Sequence, residues 1–147
     1  MIAIIPARSG SKGLPNKNMM FFNGKPMIQA TIDAAKSSKF LDSVYVSTDD
    51  EAISDFSKTC GAESPFLRPK NLADDESLIN QTLKYMITKL ENEYSLKIDS
   101  VVLLQPTSPL RTSQDIDNAI TIFNQKSADS VISFVESDHP IAWNRKL

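Results

Sequence analysis

Short β-branched runs that alternate with segments of helical period constrain this chain more than any other feature. Ile2 to Ile5, Val44 to Val46, Val101 to Leu104 and Val131 to Val135 are apolar on consecutive positions, the pattern of strands buried on both faces. Between them, Ile28, Ile32 and Ala35 share one helical face behind Pro26, and Ile53, Phe56 and Cys60 share another. The second of these opens with a Thr48-x-x-Glu51 capping-box pattern and closes at Gly61. Ile79, Leu83, Met86 and Leu90 make a third face, and Ile116, Ile120 and Phe123 a fourth. This alternation predicts a three-layer α/β/α arrangement: a mostly parallel, Rossmann-like sheet with helices on both sides. At 147 residues the chain reads as one domain over 1–147.

In such sheets ligands bind beyond the carboxyl ends of the strands. Two connections are longer than a mere joint needs: Pro6 to Asn23 after the first strand, and Gly61 to Glu76 after the second helix. The segment Pro6 to Asn18 holds Arg8, Lys12 and Lys17 with Ser9, Gly10, Ser11 and Gly13, and no acidic residue, in a chain of net charge −2. Glycines let a backbone approach a ligand closely, and successive N–H groups can form an anion nest. Arginine then meets phosphate as a fork and lysine as a point charge. Phosphate binding is the expectation; a solvated basic loop is the alternative. The spacings G-x-G-x-x-G and G-x-x-x-x-G-K-[ST] are both absent, which argues against a dinucleotide-binding dehydrogenase and against a P-loop enzyme.

The third strand runs into Gln105-Pro106-Thr107-Ser108-Pro109-Leu110-Arg111. The prolines stiffen this turn, while Gln105, Thr107 and Ser108 offer hydrogen-bonding groups at the sheet's carboxyl edge. Arg111 places a cation where a helix begins, against the preference of the helix dipole, and so predicts an anion nearby. Thr112 or Ser113 is positioned to cap that helix.

The slight negative charge gives no global case for nucleic acid or an anionic membrane. The single cysteine, Cys60, cannot form an internal disulfide and reads as a buried structural thiol. The single histidine, His139, cannot build a metal cage with it. No signal peptide and no run of about 20 apolar residues is seen, so a cytoplasmic location is expected.

Four ordered stretches, I-I-P-A-R-S-G-S-K-G-L-P-N-K-N, V-S-T-D-D, L-R-P-K-N-L-A-D-D and L-L-Q-P-T-S-P-L-R, carry a resemblance. The chain resembles the acylneuraminate cytidylyltransferases, or CMP-sialic acid synthetases, whose relatives act on legionaminic and pseudaminic acids. The match runs almost end to end. It implies transfer of CMP from CTP to a nonulosonic acid, with release of pyrophosphate and with Mg²⁺ as cofactor, in cell-surface polysaccharide biosynthesis. By resemblance Arg8, Lys12 and Lys17 are the catalytic cations on the triphosphate. Ser11 and Asn18 join the nucleotide site, Arg68 lines the cytosine pocket, and Gln105, Thr107 and Ser108 hold the sugar.

The resemblance also implies a part beyond residue 147 that carries a dimerisation segment and a metal-binding aspartate pair, with a homodimer as the assembled form. Within the chain, Asp49, Asp50, Asp74 and Asp75 are carboxylates that a magnesium ion could use. For Asp49 and Asp50 a helix cap is the competing role, and for Asp74 and Asp75 a part in shaping the cytosine loop. His139 and Trp143 fall where relatives begin their subunit contacts. Two rivals remain: a nucleotidyltransferase of the same fold for another sugar, such as Kdo or a hexose 1-phosphate, and a non-catalytic nucleotide-binding module.

Overall fold

In the computed structural model, residues 1–10, 13–74 and 77–134 are described. Ser11, Lys12, Asp75, Glu76, Val135, His139 and Trp143 therefore lie outside the described residues, and with them part of the expected phosphate loop.

Three parallel strands form the sheet: β1 (Ile2–Pro6), β4 (Ser43–Ser47) and β5 (Val101–Leu103), in the order β4-β1-β5. Ile2 sits opposite Ser43 on one side and Val101 on the other. Side chains on a strand alternate between faces, and the core divides accordingly. Ala3, Ile5, Val44 and Val46 face one cluster with α1 (Met27–Lys36), α2 (Glu51–Thr59) and α4 (Ser113–Lys126), through Ile28, Ile32, Ile53, Ile116 and Ile120. Ile4 and Tyr45 face the other cluster, which α3 (Ile79–Tyr94) completes with Met86 and Leu90. Each fully buried Ile or Leu contributes roughly 1.5–3 kcal/mol. The β-branched runs thus become strands because both faces of each are covered, as the three-layer reading expected.

The first crossover leaves β1 toward β4, and the later one returns across the opposite face to β5. The strand order therefore reverses at β1, which opens a crevice at its carboxyl end. Both long connections feed this crevice. The first carries a 3-10 turn over Lys17–Met19 and a hairpin of β2 (Phe21–Phe22) and β3 (Lys25–Pro26). Asn23 at φ 48° and Gly24 at φ 84° make its two-residue turn, a conformation in which both residues need positive φ. The second connection first runs beside β4, where Glu63 exchanges backbone hydrogen bonds with Val44 and Val46 at 2.8 Å, and then makes a 3-10 turn over Lys70–Leu72.

Three local expectations are corrected. The start of α2 is capped by Asp50, whose carboxylate accepts from Ile53 N–H at 3.0 Å, and not by a Thr48–Glu51 box. Thr48 is buried at the end of β4, with its hydroxyl accepting from Asp50 N–H, so it is too deep in the sheet to act as the cap. Val131 to Val135 was expected to be a strand, but 131–134 are irregular, with Ile132 67 % and Phe134 88 % exposed. A strand needs a neighbour for its backbone groups, and among the described residues no backbone bond ties 131–134 to the sheet. Cys60 is only half-buried: it is the C-cap of α2, packed against the edge of the core just before Gly61, whose φ is 82°. Burial still raises its thiol pKa and the charge of Asp33 adds to the rise, while the Thr59 hydrogen bond and Lys36 oppose it.

Candidate functional site

The crevice at the end of β1 is a cleft of about 290 Å³. Arg8, Lys17 and Asn18 from the first connection line it, with Arg68, Leu72 and Asp74 from the second. Ile79 and Thr82 from α3 contribute, and so do Gln105, Pro106 and Thr107 from the turn after β5. The predicted phosphate, base and sugar segments, far apart in sequence, therefore share one cavity.

Each side chain is placed by its element. Ala7 N–H donates to Ser47 O at 2.9 Å, so the chain keeps strand direction one residue past β1 and delivers Arg8 to the edge. Asn18 is buried, and its Nδ2 donates to Arg8 O at 2.9 Å, which folds the connection back on itself. Arg8 Nη1 also reaches Ala73 O at 3.4 Å, bridging the two connections. Asn18 thus shapes the loop as well as lining the cleft.

Arg68 is the most constrained cation. Its backbone N–H donates to Thr48 O at 2.7 Å, and its side chain is only 4 % exposed. Nη1 donates to Thr82 Oγ1 at 3.2 Å, while Nε and Nη2 are buried with no hydrogen-bond partner. Asp49 Oδ1 stands 4.0 Å from Nη2, close enough for charge attraction and too far for a hydrogen bond. Burial lowers the Arg68 pKa; Asp49 opposes that shift and the Arg8 charge adds to it. A buried guanidinium with two unused donor atoms beside a cavity is a strong receiver for acceptor atoms, because unmade bonds to a charged group are costly.

The turn after β5 is held by Arg111, whose Nη1 donates to Gln105 O at 3.3 Å. Burial lowers the Arg111 pKa, and the charge of Asp115 in the first turn of α4 opposes that shift. Thr112 and Asp115 form the reciprocal cap of α4: Asp115 Oδ2 accepts from Thr112 N–H and Oγ1 at 2.8 Å, and Thr112 Oγ1 accepts from Asp115 N–H. Gln105 and Thr107 line the cleft; Ser108 is exposed and is not among its lining residues. Within the tight turn, Ser108 N–H donates back to Gln105 O at 3.3 Å.

Sequence reasoning did not find Thr82. A threonine in the middle of an otherwise apolar face between Ile79 and Met86 was the available signal, and at 2 % exposure it holds Arg68 from α3. The joining role of Asp49 was also missed: its carboxylate accepts from Ser9 N–H at 3.0 Å and from Ser9 Oγ at 2.8 Å. Among the carboxylates considered for a metal, Asp50 is the α2 cap, Asp49 is bound to Ser9, and Asp74 lines the cleft. Among the described residues no group of three metal-ligating side chains is present.

A family model described as cytidylyltransferase matches residues 2–142. The chain belongs to the cytidylyltransferase family. It is similar to CMP-N,N'-diacetyllegionaminic acid synthase of Legionella pneumophila, 39 % identical over 147 residues, which cover all of this chain and 62 % of that enzyme. An N-acylneuraminate cytidylyltransferase of Streptococcus agalactiae is 43 % identical over 95 % of the chain and 33 % of its own length. A pseudaminic acid cytidylyltransferase of Campylobacter jejuni is 36 % identical over 95 % and 60 %. The chain thus spans less than two thirds of these curated relatives. In fold it superposes on CMP:2-keto-3-deoxy-manno-octonic acid synthetase, solved with CTP, at a TM-score of 0.71 and 24 % identity, over 86 % of this chain and 48 % of that one. This confirms the layered cytidylyltransferase architecture. No described helix is long and apolar enough to cross a membrane.

Proposed function

We propose that this cytidylyltransferase-family chain binds CTP in the cleft at the end of β1 and serves the transfer of its CMP group to a nonulosonic acid. The observation that carries the reading is the convergence of Arg8, Lys17 and Arg68 on one cavity with Gln105 and Thr107. Cations from the first connection suit the triphosphate, the buried donors of Arg68 suit the acceptor atoms of a base, and the Gln105–Thr107 edge suits a hydroxylated acid. The relatives named for sialic, legionaminic and pseudaminic acids support the same acceptor class.

In that reaction the sugar's anomeric hydroxyl oxygen bonds to the α-phosphorus as the bond to the bridging oxygen breaks. Pyrophosphate leaves with that electron pair, and the hydroxyl proton passes to water. Charge on the phosphate oxygens needs stabilisation throughout, and one pre-placed donor is commonly worth ~10²–10³ in rate. Arg8 and Lys17 supply that charge, with Lys12 of the same connection, while Arg68 fixes the base and so the position of the α-phosphorus. Magnesium belongs to this proposal as an ion that arrives on the triphosphate. Asp74, the carboxylate that lines the cleft, would hold it, since one or two carboxylates together with substrate phosphates suffice for magnesium. When bound, it offsets phosphate charge.

Calorimetry with CTP, UTP, ATP and GTP tests the nucleotide reading. CTP should bind tightest, and Arg8→Ala or Lys12→Ala should weaken it about tenfold or more. A purine preference, or binding unchanged by either substitution, overturns it. Pyrophosphate release with sialic, legionaminic, pseudaminic and Kdo acceptors then tests the sugar class; a preference for Kdo would redirect the assignment. The assembled form is proposed to be a homodimer without nucleic-acid or membrane partners, and sedimentation measures it.

A further inference from the structure

Asp49 is the carboxylate that the reaction scheme leaves unused. It follows Thr48 at the carboxyl end of β4, its side chain is 15 % exposed, and it does not line the cleft. It does not cap α2, since Asp50 does. Instead it reaches in two directions. Toward the first connection, Oδ1 accepts from Ser9 N–H at 3.0 Å and Oδ2 from Ser9 Oγ at 2.8 Å. Toward the second, the same Oδ1 lies 4.0 Å from Arg68 Nη2. Ser9 is the neighbour of Arg8, so one part-buried carboxylate is tied to the loop that carries the first guanidinium of the cleft and faces the second. Left alone, those two cations repel, and Arg8 disfavours the charge on Arg68. An anion fixed by hydrogen bonds to one loop and facing the cation of the other offsets this and sets their spacing.

We propose that Asp49 is a positioning residue that couples the phosphate loop at Ser9 to the base-side Arg68, so that base and triphosphate are gripped in register. This rests on the reading in which CTP occupies the cleft. A purely structural carboxylate would change stability, or weaken all nucleotides together. A coupling carboxylate also changes how well one base is told from another, because Arg68 loses its placement.

The experiment measures dissociation constants for CTP and UTP by calorimetry, on the 147-residue chain and on Asp49→Ala, Asp49→Asn and Ser9→Ala, well below each variant's melting temperature. Asp49→Ala should weaken CTP about tenfold and reduce the CTP-over-UTP preference by a similar factor. Asp49→Asn keeps the shape and one carbonyl acceptor for Ser9 but removes the charge facing Arg68, so the preference should still fall severalfold. This variant carries the test if the alanine variant does not fold. Ser9→Ala slackens only the phosphate loop and should weaken CTP and UTP equally, leaving the preference intact. Adding it to Asp49→Ala should cost little more, because the contact is already gone. An unchanged CTP-over-UTP ratio in both Asp49 variants overturns the proposal while leaving the nucleotide site standing. A parent chain that does not bind CTP, or does not prefer it, overturns both.

Discussion

Thr82 Oγ1 accepts from Arg68 Nη1 at 3.2 Å, and this contact joins α3 to the Arg68 side of the cleft. Removing the acceptor without changing shape, as in Thr82→Val, leaves a buried charged donor unmade at about 1–3 kcal/mol. CTP affinity should fall severalfold, while affinity for inorganic pyrophosphate stays within twofold of the parent. Parallel titrations of the two ligands check this. Equal losses for both would mean that Thr82 supports the cleft in general and not Arg68 in particular.

The turn after β5 makes a sharper distinction than its sequence suggests. Gln105 and Thr107 line the cleft and Ser108 does not. Gln105→Ala and Thr107→Ala should each weaken nonulosonic acid binding about fivefold or more, taking one lost hydrogen bond as ~1 kcal/mol. Ser108→Ala should stay within twofold. Ligand-observed NMR titration with the sugar acid reads all three, and a dominant Ser108 effect would contradict the turn geometry.

Asp115 titrates below the usual carboxylate range, first because Thr112 N–H donates to it and next because the Thr112 hydroxyl does. Its folded pKa is depressed, so its contribution to stability is present above the ordinary carboxylate pKa near 4 and is lost as pH falls through the folded value. Melting temperatures of Asp115→Asn and the parent should therefore differ most at neutral pH and converge in acid. Thr112→Ala, which removes the hydroxyl cap, should cost about 1 kcal/mol, or roughly 2–4 °C.

Met86 has no exposed surface and anchors α3 under Ile4 and Tyr45. Met86→Ala should destabilise by about 2–5 kcal/mol, measured by urea unfolding. Because α3 carries Thr82 and Ile79 to the cleft, nucleotide affinity should fall with it.

The fold was legible wherever a run of side chains had a single environment to satisfy. Ile2 to Ile5 reads as a strand with two buried faces because helices do cover both, and the four helical faces are found where their spacing placed them. Val131 to Phe134 is also mostly apolar, yet its pairing depends on a neighbour that composition cannot supply. The site divides in the same way. Arg8, Lys17 and Arg68 stood out because cations in proline- and glycine-bearing loops have few structural uses. Asp49 and Asp50 are chemically identical and adjacent, and only the strand-to-helix geometry assigns one to a cap and the other to Ser9. Thr82 is set apart from the chain's other serine and threonine hydroxyls only by what lies opposite it.

The order β4-β1-β5 has a consequence for synthesis on the ribosome. β1 leaves the exit tunnel long before β5, the strand that covers its second edge, since Ile2 pairs with Val101. At 5–20 residues per second that edge waits roughly 5–20 s for its partner. During that interval the nascent chain holds an apolar strand with one side unprotected.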